Sequence, residues 1–139
     1  MLKLRSPNVD IAIICSNFEE SLRFYHEFLE FEIVKEVKIF DDLATDIGLA
    51  PHGFRQVRLQ AGDTLIKLMD IEPPPETTVH EFGTGLGWLT FRIENLVETT
   101  EQLKSKGVEF LADPVEAPEA LVVCAKAPDG VLIEFLQPK

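Results

Sequence analysis

Trp88-Leu89-Thr90-Phe91-Arg92-Ile93-Glu94-Asn95-Leu96-Val97-Glu98-Thr99 reads as a strand that runs into the first turn of a helix, and the chain has already written it once. The earlier copy is Val9-Asp10-Ile11-Ala12-Ile13-Ile14 followed by Ser16-Asn17-Phe18-Glu19-Glu20-Ser21. A second echo closes each half: Gly62-Asp63-Thr64-Leu65-Ile66-Lys67-Leu68-Met69 matches Asp129-Gly130-Val131-Leu132-Ile133-Glu134-Phe135-Leu136. Two copies of one small module follow, so a site built on both can be compared position by position.

Outward from the repeat, residues 17–29 read as a helix. Asn17 suits the N-cap, Glu19 and Glu20 sit in the positive first turn, and Phe18, Leu22, Tyr25 and Leu29 recur at helical spacing. Residues 95–106 repeat the design, with Leu96, Thr99 or Thr100, and Leu103 on the buried side. Gly107 stands where a left-handed C-cap belongs, and Glu30 takes that place in the first copy. Residues 31–34 and 108–111 follow as short strands. Residues 56–59 and 65–70 alternate around Ala61-Gly62-Asp63, and 121–126 and 131–136 around Pro128-Asp129-Gly130, so each copy ends in paired strands. The stretch 35–54 holds a β-like start at 37–40 and a short helical turn around 43–49, and a loop of that length over a sheet suits a lid or pocket wall. Glu72-Pro73-Pro74-Pro75-Glu76 cannot enter a sheet interior, because proline has no amide donor. The expected organisation is a first module over 1–72, a proline-rich linker over 73–83 and a second module over 84–139.

Strand alternation separates two faces in each copy. Val9, Ile11 and Ile13, like Leu89, Phe91 and Ile93, belong under their own helices, joined by Ile66, Leu68, Ile133 and Phe135. Asp10, Ala12 and Ile14, and Trp88, Thr90 and Arg92, face the other way with Leu65, Lys67 and Met69 and with Leu132, Glu134 and Leu136. Lys67 and Glu134 are each a charge centred on an apolar stripe. A charge there is costly to bury alone, so it is paired, lines a wet cavity, or lies exposed beside apolar neighbours.

Composition narrows the partners. The chain has 139 residues with 45% hydrophobic content, enough for one shared core. Its 24 acidic and 13 basic residues give a formal charge of −11, which repels nucleic acid and anionic membrane surfaces and weakly favours a cationic ligand. Its apolar runs fall far short of the roughly 20 residues that span a bilayer. With no apolar leader in Met1-Leu2-Lys3-Leu4-Arg5, a soluble cytoplasmic protein is expected. Cys15 and Cys124 each stand alone in an apolar run and read as buried free thiols, which excludes a cysteine zinc site.

Asn17-Phe18-Glu19-Glu20-Ser21-Leu22-Arg23-Phe24-Tyr25, Leu103-Lys104-Ser105-Lys106-Gly107-Val108, Ala127-Pro128-Asp129-Gly130 and Ile133-Glu134-Phe135 stand in an order and spacing that resembles the vicinal oxygen chelate superfamily of glyoxalase I, bleomycin-resistance proteins, methylmalonyl-CoA epimerase and extradiol dioxygenases. The resemblance covers nearly the whole chain. It implies an α+β fold of two tandem βαβββ modules whose curved mixed sheets form a cleft, in a homodimer. It also implies that four inner-face positions, here Asp10, Lys67, Trp88 and Glu134, correspond to the metal ligands of catalytic members. In metal-binding relatives these are mostly histidine, glutamate or glutamine, and only Glu134 keeps that choice.

An ammonium about 4 Å from a dication, at an effective dielectric near 20, costs roughly 8 kcal/mol, twice the figure for unit charges. That is a large part of the roughly 10–16 kcal/mol a good structural zinc site supplies. Trp88 offers no ligand atom, and Asp10 and Glu134 are the candidates if a metal binds. His26, on the first helix, is expected to be exposed. His80 lies in a loop before Trp88, and His52 can line the pocket. The expected function is therefore a small-molecule binder with a degenerate metal site and no cofactor, using Asp10, Lys67, Trp88, Glu134 and His52. The alternative is a lyase or isomerase of the glyoxalase I or epimerase kind, in which a divalent metal or a Glu134/Lys67 pair serves proton transfer next to a carbonyl. A third is a structural module in which Lys67 and Glu134 neutralise one another.

Overall fold

Ile11 and Ile13 sit beside Ile66 and Leu68 in a parallel strand pair, and that seam organises the first half of the protein. The computed structural model describes residues 2–77 and 83–139, so His80 and part of the 73–83 linker lie outside the described residues. The chain divides into two units, Met1–Thr77 and Thr78–Lys139.

In the first unit, β1 (Ile11–Ile14) leads to α1 (Phe18–Leu22), which continues as a π-helical segment, Arg23–Phe28. Strands β2 (Glu32–Ile39), β3 (Phe54–Ala61) and β4 (Thr64–Asp70) follow, with a short helix α2 (Asp41–Asp46) between β2 and β3. The sheet order is β1-β4-β3-β2, parallel at the β1–β4 seam and antiparallel elsewhere. The Asn17 side chain accepts from the Glu20 amide at 3.3 Å, the N-cap expected from sequence. Beyond Leu22 the wider winding appears as the Leu29 amide donating to the Phe24 carbonyl, five residues back, at 3.0 Å. That turns the buried face: Phe18, Ser21, Phe24 and Tyr25 are buried, whereas Leu22 and Leu29 are only half-buried. Phe24 and Tyr25 meet edge to face at 4.9 Å over a core of Val57, Leu59, Ile66 and Leu68. Each such side chain contributes roughly 1.5–3 kcal/mol by leaving water.

Glu30 closes this helix with φ of +61°, the left-handed place assigned to it from sequence. The strands expected at 31–34 and 37–40 are instead one strand, β2, bent by a register shift between Ile33 and Lys35. Val9, expected under the helix, is 70% exposed, because β1 begins only at Ile11. The segment from Phe40 to Gly53 loops out and is pinned at its base, where the Gly53 amide donates to Asp41 Oδ1 at 2.6 Å.

The second unit repeats the plan with β5 (Trp88–Arg92), α3 (Leu96–Ser105), β6 (Glu109–Phe110), β7 (Val115–Glu116), β8 (Ala120–Lys126) and β9 (Leu132–Pro138). β5 and β9 are parallel, β8 and β9 antiparallel, and β6 and β7 both pair with β8. The two-residue β7 was not legible in the sequence. Pro114, which has no donor, precedes it and splits the edge of the sheet into two short pieces. Leu96, Thr100 and Leu103 are the buried residues of α3, and Gly107 follows at φ of +93°.

The start of α3 corrects the sequence reading. Asn95 adopts φ of +54° and gives no side-chain cap; the Leu96 amide instead donates to Gln137 Oε1, 2.7 Å away, at the end of β9. A distant glutamine thus does for α3 what the local Asn17 does for α1. Among the described residues, no helix is long and apolar enough to cross a membrane.

Candidate functional site

Within each unit, parallel pairing at the seam sets the first strand beside the last, at matching positions of the repeat. Ala12 lies opposite Lys67 on β1 and β4, and Thr90 lies opposite Glu134 on β5 and β9. Asp10 and Trp88 stand two residues before Ala12 and Thr90, on the same face in each case. Each unit is taken by itself below.

On the first sheet the helix side is marked by Arg55, whose guanidinium lies 4.6 Å from the centre of the Phe18 ring. The opposite, open face carries Lys67, and its Nζ lies 3.0 Å from Asp10 Oδ2. The side chains are 24% and 42% exposed, so water screens the pair and its net worth is about 0–1 kcal/mol. Its chemical effect is larger than its energetic one, because the Asp10 carboxylate is neutralised at its own seam. The apolar neighbours on that stripe do not lie open: Leu65 is half-buried and Met69 buried.

Across the same face runs a row of cations. Lys67 is the direct partner of Arg58 on β3, and Arg58 is the direct partner of Lys35 on β2. Direct cross-strand partners share a face, with Cα atoms about 5 Å apart. Like charges on such neighbours repel, and partial exposure reduces the effect. Arg58 Nε donates to Gln56 Oε1 at 2.8 Å, and Gln56 is itself buried. Among the described residues, neither Arg58 nor Lys35 has a carboxylate within ion-pair distance.

On the second sheet, a hydrogen-bonded chain occupies the matching place. The Trp88 indole N–H donates to Thr90 Oγ1 at 3.2 Å, and the Thr90 hydroxyl donates to Glu134 Oε1 at 2.8 Å. One hydroxyl serves as acceptor and donor at once, which fixes the direction of both bonds. Trp88 keeps 54% of its surface exposed, so an aromatic face is held in place while remaining accessible. Glu134 is half-buried, and Cys124 is its direct partner on β8. Burial, with a smaller contribution from the Glu134 charge, pushes the Cys124 thiol above its ordinary pKa. Cys15 is buried as expected, but Cys124 is only half-buried, a correction that follows from its place on the open face.

His26 and His52 occupy local roles. His52, half-buried, donates from Nδ1 to the neighbouring Gly53 carbonyl at 2.8 Å. His26 is exposed, as expected, and donates to the Phe31 carbonyl at 2.8 Å. Among the described residues, no three His, Cys, Asp or Glu side chains gather as a metal-binding group.

Sequence alternation put Asp10, Lys67, Trp88 and Glu134 on the open faces, and the structure gives each a partner within its own unit. It missed three residues. Thr90 was placed on the correct face but given no role, although a hydroxyl two residues after Trp88 is the available signal. Arg58 and Lys35 join the row only through strand register, which alternation does not supply.

The sequence model of the Glyoxalase/Bleomycin resistance protein/Dioxygenase superfamily matches residues 9–135. The uncharacterized protein YwkD of Bacillus subtilis (strain 168) is 29% identical over 99 residues, covering 71% of this chain and 70% of that protein. A glyoxalase family protein from Bacillus cereus shares the fold with a TM-score of 0.81 at 17% identity, over 99% of this chain and 98% of its own. An antibiotic binding protein from Streptomyces sp. CB03234 does so with a TM-score of 0.65 at 20% identity, over 100% and 99%.

Proposed function

The chain belongs to the Glyoxalase/Bleomycin resistance protein/Dioxygenase superfamily, and on that premise we propose that it binds a small organic molecule on the open faces of its sheets, without a divalent metal. The observation that carries this is the Lys67–Asp10 ion pair at 3.0 Å. Two positions that the resemblance matches to metal ligands of catalytic members are here an ammonium and the carboxylate it neutralises. At the matching positions Trp88 has no ligand atom and Glu134 is held by Thr90. In neither unit does the donor set suit a divalent cation, which needs uncompensated oxygen or nitrogen donors.

What suits it is recognition. A fixed, half-exposed indole offers stacking area to a flat or apolar ligand, while the charged residues supply polar contacts. The same fold serves an antibiotic binding protein in Streptomyces. Elemental analysis and a metal titration, repeated on Lys67→Glu, test the metal-free part: the purified protein should carry no stoichiometric metal, and only the variant should take one up. A tightly bound metal in the unmodified protein, lost on Asp10→Asn or Glu134→Gln, would sink the proposal. Homodimer formation belongs to the same proposal and is read by light scattering.

One observation favours an enzymatic second reading: Glu134 is a carboxylate held at 2.8 Å by a neighbouring hydroxyl. Such a group can take a proton next to a carbonyl of a bound substrate. Turnover of α-keto or hemithioacetal substrates, with deuterium uptake from D2O that Glu134→Gln abolishes, would establish this lyase or isomerase alternative.

A further inference from the structure

Acidic residues outnumber basic ones 24 to 13, yet the open face of the first sheet sets three cations side by side on three neighbouring strands. Like charges opposite one another destabilise a sheet, so such a row persists against both the composition and the local energetics. A device in the backbone contributes. The register pairs Ile33 with Leu59, on the helix side, and then Lys35 with Arg58, on the open side; the shift between them turns Lys35 into the row.

The middle member is held most firmly. Gln56 is 6% exposed, and its side-chain oxygen accepts from Arg58 Nε at 2.8 Å. That bond engages Nε, while no carboxylate among the described residues lies within ion-pair distance of the guanidinium. Lys67 on one side is half-satisfied by Asp10, and Lys35 on the other is exposed. Among the described residues, the only other acidic one that register puts on this face is Glu32, opposite Gln60 at the far side of the bulge.

We propose that Lys35, Arg58 and Lys67 form a binding site for an oxyanion, the carboxylate or phosphate group of the small molecule that the protein binds. This rests on the small-molecule reading above and names the ligand's class. It reverses the expectation from net charge, which favoured a cation: the protein's overall field is negative, but the surface offered by this sheet is positive. Arg58 takes the anion through two parallel N–H donors, a geometry that guanidinium supplies and ammonium does not. Lys67 and Lys35 add point charge on either side. Asp10 competes with the ligand for Lys67, so removing its charge tightens binding.

The test titrates 15N-labelled protein with inorganic phosphate, with naphthalene-2-carboxylate and with the uncharged naphthalene-2-carboxamide, all at constant ionic strength set by chloride. Phosphate and the carboxylate should each shift the Arg58 Nε–H resonance saturably, and the carboxylate should bind at least tenfold more tightly than the amide. Arg58→Gln and the exposed Lys35→Gln should each remove most of that preference, and Asp10→Asn should enlarge it. Unchanged thermal unfolding of Lys35→Gln guards against an effect of misfolding. Equal binding of carboxylate and amide overturns the oxyanion site while leaving the small-molecule reading intact. Absence of any saturable shift with phosphate and carboxylate overturns it too, and the Trp88 fluorescence response then decides the broader reading separately.

Discussion

The Lys67 ammonium lies 3.0 Å from the Asp10 carboxylate, across the parallel seam of β1 and β4. Both charges are partly exposed, so the pair is a chemical device more than a structural one. Asp10→Asn should change the urea unfolding free energy by less than about 1 kcal/mol. A loss of several kcal/mol would mean that the pair is buried and essential, contrary to its exposure.

Thr90 couples an aromatic ring to a carboxylate. Thr90→Val removes both hydrogen bonds at nearly constant volume and should cost about 1–2 kcal/mol in stability, because both partners keep access to water. Trp88 emission should broaden in the variant, whereas Thr90→Ser should stay close to the parent. Trp88→Ala should weaken ligand binding by more than about 1 kcal/mol, read by calorimetry.

Glu30 and Gly107 close equivalent helices in the left-handed region, at φ of +61° and +93°. Only glycine occupies that region without a steric penalty. Glu30→Gly should therefore stabilise the protein by about 0.5–1 kcal/mol, and Gly107→Glu should destabilise it by about 1–2 kcal/mol. Thermal denaturation of the two variants should move in opposite directions.

Cys124 offers a pH probe. Its thiol pKa is raised, first by burial and then by the Glu134 charge, so the folded state favours the neutral form. The associated stability is full below the ordinary thiol range and is lost as pH rises through the raised value. Iodoacetamide should thus label Cys124 more slowly than a free thiol near pH 9, and Glu134→Gln should label faster than the parent.

Gly53 anchors the loop that begins at Phe40. A Cβ there would meet the Ile39 carbonyl and lie 2.8 Å from the Asp41 amide nitrogen and 2.9 Å from Asp41 Oδ1. Backbone on one side cannot yield, so Gly53→Ala should break the 2.6 Å anchor and cost about 1–3 kcal/mol. Protease cleavage within 41–52 should accelerate in that variant.

The duplicated pattern made most of the fold readable. Helical spacing, an N-cap asparagine and left-handed C-cap positions are local signals, and they located α1, α3, Glu30 and Gly107. Nonlocal features were hidden. The π-helical winding after Leu22 rotates a buried face that a 3.6-residue repeat places on Leu22 and Leu29. The bulge in β2 reverses the side on which Lys35 lies, and Gln137 caps a helix forty residues earlier in the chain. Alternation could name the residues of the open faces, but which of them touch depends on register between strands.

Register also dictates when those contacts can form. In each unit the seam that joins the site residues is the parallel one, Ile11 with Ile66 and Leu89 with Ile133, which brings together the first and last strands of the unit. A hairpin such as β3–β4 can close on its own, whereas the parallel seam must wait until the whole intervening chain exists and has lost its loop entropy. During synthesis, then, a ribosome must release β4 before Asp10 can meet Lys67, and β9 before Trp88 and Thr90 can reach Glu134. The contacts on which the proposed binding rests are therefore the last to form in each nascent module.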